Sequence, residues 1–311
     1  MTDVDASATH RTPPLAVSFM RLGKLTLFEI WLGPVIALSA ALGGGAPAAR
    51  SVVLCGLFLL AIAFGMGATH ALDDITGFRD GSDARNYAPE RRRSQVKPLV
   101  RADLTVAQAR TFALATGALA MGCVLAFCLV ADFRPWWIFL VGVAVVALGT
   151  QYSAGINFSY RLVGGGEALT GITLAASVLV PYAAATQDVT AAAVVQSLLF
   201  GLWLVQVLMC SNSRDAEDDR RVERRTIAAC TRVRGNKMAV GLVFVAAWAL
   251  PVLAVVTGAM RWHVLVALLP CTGVQVYVLW SGFHNVWRHR KNLGFQAVRL
   301  GVVGLVISHV L

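Results

Sequence analysis

Eleven of the seventeen acidic residues fall into two short stretches. Asp73, Asp74, Asp80, Asp83, Glu90 and Asp103 make up the first; Asp215, Glu217, Asp218, Asp219 and Glu223 make up the second. Carboxylates grouped this way offer hard oxygen ligands to a divalent cation such as Mg²⁺, which is normally shared among a few carboxylates, waters and substrate phosphates. Basic residues around the clusters, among them Arg85, Lys97 and Arg214, suit direct contact with phosphate oxygens. Continued as a helix, Asn212, Asp215 and Asp219 stand three and four residues apart and share a face. Arg214 with Asp218, and Glu217 with Arg221, have the spacing of ordinary helix-face ion pairs. In the first stretch Gly77 and Gly81 weaken a continuous helix, which predicts a chain that leaves its helix and turns back over a cavity. Asp73 and Asp74 fall where a helix meets the membrane boundary, and an uncompensated carboxylate is costly there. The metal ligands expected are therefore Asp73, Asp74, Asp83, Asp215 and Asp219.

The elements that must position these groups are apolar. The chain is 57% hydrophobic and 14% charged, against about 25% charged in soluble domains. Its apolar blocks have the length that crosses a bilayer. They predict nine spans, near Thr26–Leu42, Val52–Leu72, Thr105–Ala131, Trp136–Tyr152, Glu167–Thr186, Thr190–Ser211, Met238–Gly258, Val264–Phe283 and Phe295–Leu311. No stretch alternates like a barrel strand, so the fold class is all-α, a helical membrane bundle. Both acidic clusters follow even-numbered spans, which implies two pseudo-repeated halves around a central cavity. The N-terminus and the loops after even spans hold 22 of the 27 Lys and Arg residues, which puts those segments and both clusters on the cytoplasmic side. A net charge of +10 is then a topology signal, and nucleic-acid binding, which would need a soluble basic face, is excluded. Residues 1–20 are expected as a disordered cytoplasmic N-terminus and 21–311 as one membrane domain with acidic loops at 73–104 and 211–237. The first apolar run is too long for a signal core. The six cysteines have no Cys-x-x-Cys spacing and read as small packing residues. Arg91, Arg92 and Arg93 read as a surface block near anionic lipid headgroups.

In order along the chain, these motifs resemble the UbiA superfamily of intramembrane prenyltransferases. Asp73-Asp74, Gly81 and Asp83 are most similar to the first aspartate motif of the menaquinone-pathway branch, which attaches a chain to dihydroxynaphthoate. Lys97-Pro98-Leu99 resembles the family's basic-Pro-aliphatic stretch. Tyr152-Ser153 and the run from Tyr160 to Glu167 resemble its segment between helices 4 and 5. Asn212, Arg214, Asp215, Glu217, Asp219 and Arg220, followed by Arg224 to Ala228, give the fullest match. The resemblance implies a cavity open laterally to lipid and Mg²⁺ bridging both motifs and a prenyl diphosphate, of about ten to twenty carbons or longer. It also implies an allylic cation trapped by an electron-rich, aromatic acceptor. Asp74, Asp215 and Tyr152 are then the catalytic candidates, and Asn212, Lys97, Arg161, Arg214 and Arg85 the diphosphate contacts. An apolar cavity lined by residues such as Phe200, Trp203, Leu204 and Met209 would house the chain. Asp73 stands where the family usually has Asn, and Gly77 where it has a metal-binding Asp, so the first metal must be held differently, with Asp80 a candidate substitute. These departures point to specialised metabolism; the expected location is a bacterial-type inner membrane.

The principal rival is a terpene cyclase on the same scaffold, in which the prenyl cation is captured by its own double bonds. An acceptor pocket near Arg21, Lys24 and Glu29 would favour transfer. A transporter should collect polar groups near the bilayer midplane, and a membrane scaffold has no use for clustered acids. His70 has two readings, phosphate contact or helix capping, and Glu167 has two, a functional role or a match to its helix dipole. His284 and His289 read as solvated, and Pro34, Pro181, Pro251 and Pro270 as tolerated kinks within spans.

Overall fold

The structure, a computed structural model, describes residues 13–85, 97–152, 156–284, 287 and 290–311. Glu90, the run Arg91–Arg93, Ser153 and His289 lie outside the described residues. Among those described, all regular structure is helical.

The chain runs through α1 (Leu15–Leu22), a 3-10 turn (Phe28–Leu32), α2 (Gly33–Gly43), α3 (Ala48–Arg79), α4 (Ser82–Arg85) and α5 (Val106–Val130). It continues with α6 (Trp137–Thr150), α7 (Phe158–Arg161), α8 (Gly165–Thr186), α9 (Ala191–Arg221) and α10 (Ile227–Cys230). The last elements are α11 (Val233–Val256), α12 (His263–Ala267), α13 (Leu269–Phe283) and α14 (Arg290–Val310). Every apolar block read from the sequence lies on helix, and among the described residues six helices are long and apolar enough to cross a membrane. Two blocks are divided. Pro34 and Pro270 do not kink helices but stand in the first turns of α2 and α13, where the missing N–H costs nothing. Pro181 and Pro251 do lie inside helices.

Residues 15–20, expected in a disordered segment, belong to α1. The helix is held because Leu22 is buried against Ala71 and Ile75 and the rings of Phe19 and Phe112 stack at 5.2 Å.

Helices α8 and α9 form the centre of the bundle, and α3, α5 and α11 turn apolar side chains such as Leu114, Leu242 and Val256 outward, as lipid-facing helices do. The two central helices touch closely because residue 201 is glycine: a Cβ there would lie 2.5 Å from the Gly171 carbonyl oxygen. Small residues at such crossings replace the hydrophobic drive that lipid cannot supply. Phe200, Trp203, Leu204 and Met209 are packed in the core rather than free to line an open space.

Several polar side chains inside the bundle are paired with one another. Trp248 Nε1 donates to Gln275 Oε1 at 2.8 Å, and Gln275 Nε2 to Gln206 Oε1 at 2.9 Å. Glu29 is buried and accepts from Arg299 Nε at 2.8 Å. That pairing ties the 3-10 turn to α14, and the Arg299 guanidinium also stands 4.7 Å over the Phe28 ring.

Candidate active site

The two helices that carry the acids are the longest in the chain. At 32 and 31 residues, α3 and α9 reach about 45–48 Å, whereas hydrocarbon is about 30 Å thick. Their surplus turns carry the carboxylates beyond the apolar blocks.

The first cluster is built by a helix that continues where the sequence predicted a break. Gly77 lies within α3, which ends at Arg79; the reversal comes at Asp80 and Gly81, the latter with φ +74°. Gly77 serves space instead of flexibility. A Cβ at that position would lie 2.6 Å from Asp83 Cγ and 2.7 Å from both its oxygens, so the Asp83 carboxylate fills the volume a side chain would occupy. Asp83, rather than the exposed Asp80, is therefore the acid returned to α3. Asp74, one helical turn earlier, is 2% exposed and Asp83 6%.

Lys97 stands between them. Its Nζ is 3.2 Å from Asp74 Oδ1 and donates to Asp83 Oδ1. The lysine is positioned by a tight turn, in which Asp103 N donates to Pro98 O at 2.8 Å, and by Leu99 and Leu104, both buried against α3 and α5. Burial pushes the Asp83 carboxyl above its ordinary value, with the Lys97 ammonium opposing that rise. Burial would lower the Lys97 ammonium, but the carboxylates of Asp74, Asp83 and Asp73 outweigh it and hold it above its usual range. Lys24 Nζ approaches Asp73 Oδ2 at 3.9 Å. Arg85 closes α4; its side chain is outside the described set.

The second cluster is held from two neighbouring loops. Asn212 Nδ2 donates to Glu167 Oε1 at 2.9 Å, and the same oxygen accepts from Ile227 N at 3.1 Å. Glu167 thus joins the start of α8, the turn of α9 just before its acids, and the start of α10. Asp219 Oδ1 is 3.7 Å from Arg224 Nη1, and its Oδ2 accepts from Thr226 Oγ1 at 3.2 Å. Arg224 Nη2 in turn donates to Tyr152 Oη at 2.7 Å. Asp215 takes a two-pronged contact from Arg214, at 2.8 and 2.6 Å. The predicted Glu217–Arg221 pair is present at 3.0 Å, and Arg221 also reaches Asp218 at 3.4 Å, the acid assigned to Arg214 by spacing alone.

Arg161 ends α7 with an exposed side chain and contributes its carbonyl oxygen, which accepts from Arg225 Nη1 at 3.3 Å. Arg224, missing from the sequence-derived contacts, is the arginine that enters the cluster. Its signal was its place in the motif; what aims it is Glu223, at φ +57°, and the bond from Arg224 N to Asp219 O at 2.9 Å. Burial pushes the Tyr152 hydroxyl up against the lowering pull of Arg224, and Asp73 and Glu167 add to the rise. The helices that carry the two clusters, α3 and α9, both pack against α8.

Among the described residues no three His, Cys, Asp or Glu side chains converge into a ready metal cage. Their oxygens nevertheless fit Mg²⁺, which takes part of its shell from water and phosphate. Asp74 Oδ1, despite its nearness to Lys97, receives no aligned hydrogen bond, and buried Asp83 Oδ2 and Glu167 Oε2 have no hydrogen-bond partner. His70 Nε2, one turn before Asp73 and Asp74, is likewise buried and unpartnered.

The model of the UbiA prenyltransferase family matches residues 31–301. No curated protein matches the sequence. In fold the chain is similar to the apo structure of a UbiA homolog from Aeropyrum pernix K1, at 17% identity and TM-score 0.65 over 95% of this chain and 98% of that one. It is similar to a UbiA homolog from Archaeoglobus fulgidus bound to DMAPP and Mg²⁺, at 14% identity and TM-score 0.61 over 93% and 99% of the two chains. A digeranylgeranylglyceryl phosphate synthase aligns at 11% identity and TM-score 0.66 over 95% and 99%.

Proposed function

The chain belongs to the UbiA prenyltransferase family, and from that premise we propose that it is a Mg²⁺-dependent intramembrane enzyme that transfers a prenyl group from its diphosphate to an aromatic acceptor. The observation that carries this reading is that the overlong ends of α3 and α9, both packed against α8, carry the acids, and that buried oxygens of Asp74, Asp83 and Glu167 lack hydrogen-bond partners. The Archaeoglobus homolog, bound to DMAPP and Mg²⁺, supports the same assignment by likeness.

In this reading Asp73, Asp74, Asp83, Asp215 and Asp219 would hold the metal. Mg²⁺ held there would supply charge neutralisation for the departing diphosphate. Lys97, Arg214 and Arg224 add positive charge where negative charge develops. The allylic C–O bond breaks with its electron pair going to the diphosphate. The acceptor's aromatic carbon then attacks the cation and loses its proton. Glu167 keeps Asn212 turned toward the diphosphate, and the Arg224–Tyr152 contact steadies the same wall. In this reading the acidic end faces the cytoplasm, in keeping with the Lys and Arg bias, and the membrane is a bacterial-type inner membrane. The departures at Asp73 and Gly77 favour a role in specialised metabolism.

The test is diphosphate release by purified protein supplied with geranyl, farnesyl or geranylgeranyl diphosphate and Mg²⁺, with and without naphthoate, quinolone or phenol acceptors. Release that needs both Mg²⁺ and an acceptor, with a prenylated product by mass spectrometry, is expected. A cyclic terpene formed without acceptor would replace transfer by cyclisation, and release that persists in EDTA would sink the metal mechanism altogether.

A further inference from the structure

The place where the Asp74 and Asp83 carboxylates converge already holds a cation, the ammonium of Lys97. Two nearly buried carboxylates need a positive partner, and Lys97 is placed to supply it, since Leu99 and Leu104 fix its backbone while its four-carbon stem stays flexible. A divalent ion bridging the same two carboxylates would fall within a few ångströms of that ammonium, and two cations so close in a sparsely solvated site repel strongly. The carboxylates can serve the metal or the lysine well, but not both in this arrangement. Asp74 Oδ1 and Asp83 Oδ2, which receive no aligned hydrogen bond, show that one ammonium leaves part of the pair's capacity unused. A released ammonium needs a new anion, and the metal arrives with one, the diphosphate.

Resting on the reading that Asp74 and Asp83 hold Mg²⁺, we propose that Lys97 is a built-in counter-cation that competes with metal at this carboxylate pair and is handed to the diphosphate when both ligands bind. Metal alone must then displace the lysine without offering it a partner, and diphosphate alone must draw it away from two carboxylates. Together the two ligands bind more tightly than either by itself, and Lys97 is the side chain through which each strengthens the other.

Mn²⁺ titration of the full-length protein, followed by the electron paramagnetic resonance signal of free Mn²⁺, tests this. The sites that count are those removed by Asp83→Asn. Without diphosphate, Lys97→Met is expected to bind Mn²⁺ about ten-fold more tightly than wild type, and added inorganic pyrophosphate should then help it less. Lys97→Arg, which keeps the charge, should stay near wild type. Equal or weaker Mn²⁺ binding by Lys97→Met overturns the proposal. Failure of wild type to bind Mn²⁺ even with pyrophosphate overturns the metal reading on which it rests. A measurement on unaltered protein guards against a misfolded variant: acylation of the Lys97 amine, quantified by peptide mass spectrometry. Labelling should rise with Mg²⁺ alone and fall again when pyrophosphate is added. Labelling that is unchanged or lower with Mg²⁺ alone refutes displacement.

Discussion

Replacing Gly77 with alanine separates the demands of the helix from those of the site. Residue 77 lies inside α3, where alanine is favoured over glycine by about 1 kcal/mol. Judged on its helix alone, Gly77→Ala should stabilise the protein. The new Cβ, however, would stand 2.6 Å from Asp83 Cγ, and ordinary contact begins at 3.4 Å. The Asp83 carboxylate must therefore retreat by about 0.8 Å, the difference between those distances. It is 6% exposed and bonded to Lys97, so the retreat drags or breaks the bridge to Asp74. Displacements near 1 Å at reacting centres cost about 100-fold in rate. The expected outcome is Mg²⁺-dependent diphosphate release reduced by about that factor, with thermal stability in detergent changed by less than about 1 kcal/mol. Release at the wild-type rate together with raised stability would refute the reasoning, because it would mean that Asp83 does not work against Gly77.

The second cluster gives its own tests. Asp215→Asn and Asp219→Asn should each lower diphosphate release by about 100-fold or more while the protein still purifies as a folded membrane species; retention of full activity by either removes that residue from the site. Glu167→Ala strands Asn212 Nδ2 and Ile227 N, so the KM for prenyl diphosphate should rise and protease cleavage within residues 222–227 should quicken; an unchanged KM would make Glu167 a purely local contact. In the apolar interior, Gln275→Leu removes the partner of both Gln206 and Trp248. That should cost about 1–3 kcal/mol of stability, part of it recovered in the double variant with Gln206→Leu, as thermal unfolding would show. A double variant less stable than Gln275→Leu would contradict that account.

Hydropathy and spacing were enough to identify the apolar helices, because crossing a bilayer demands a local run of apolar residues that needs no knowledge of neighbours. The same holds for the two acidic clusters and for the common face of Asn212, Asp215 and Asp219, since helical spacing is a property of one segment. Glycine at 77 was misleading for a related reason. Local propensity marks it as a weak point in a helix, and only packing reveals that the missing side chain admits Asp83 from the next turn of chain. Of Arg161 and Arg224, spacing and motif pointed to Arg161 as the diphosphate contact. A loop with Glu223 at positive φ, pinned to Asp219, turns one of them inward, while the other stays exposed and offers its carbonyl. Lys97 could be named from its motif, but its seat between Asp74 and Asp83 depends on Leu99 and Leu104 finding a shared apolar niche with α1. The sequence by itself determined which residues carry charge and which segments prefer lipid, because both are local free-energy preferences. Tertiary structure alone decided which carboxylate meets which cation, because those contacts join segments far apart in the chain and depend on how whole helices pack.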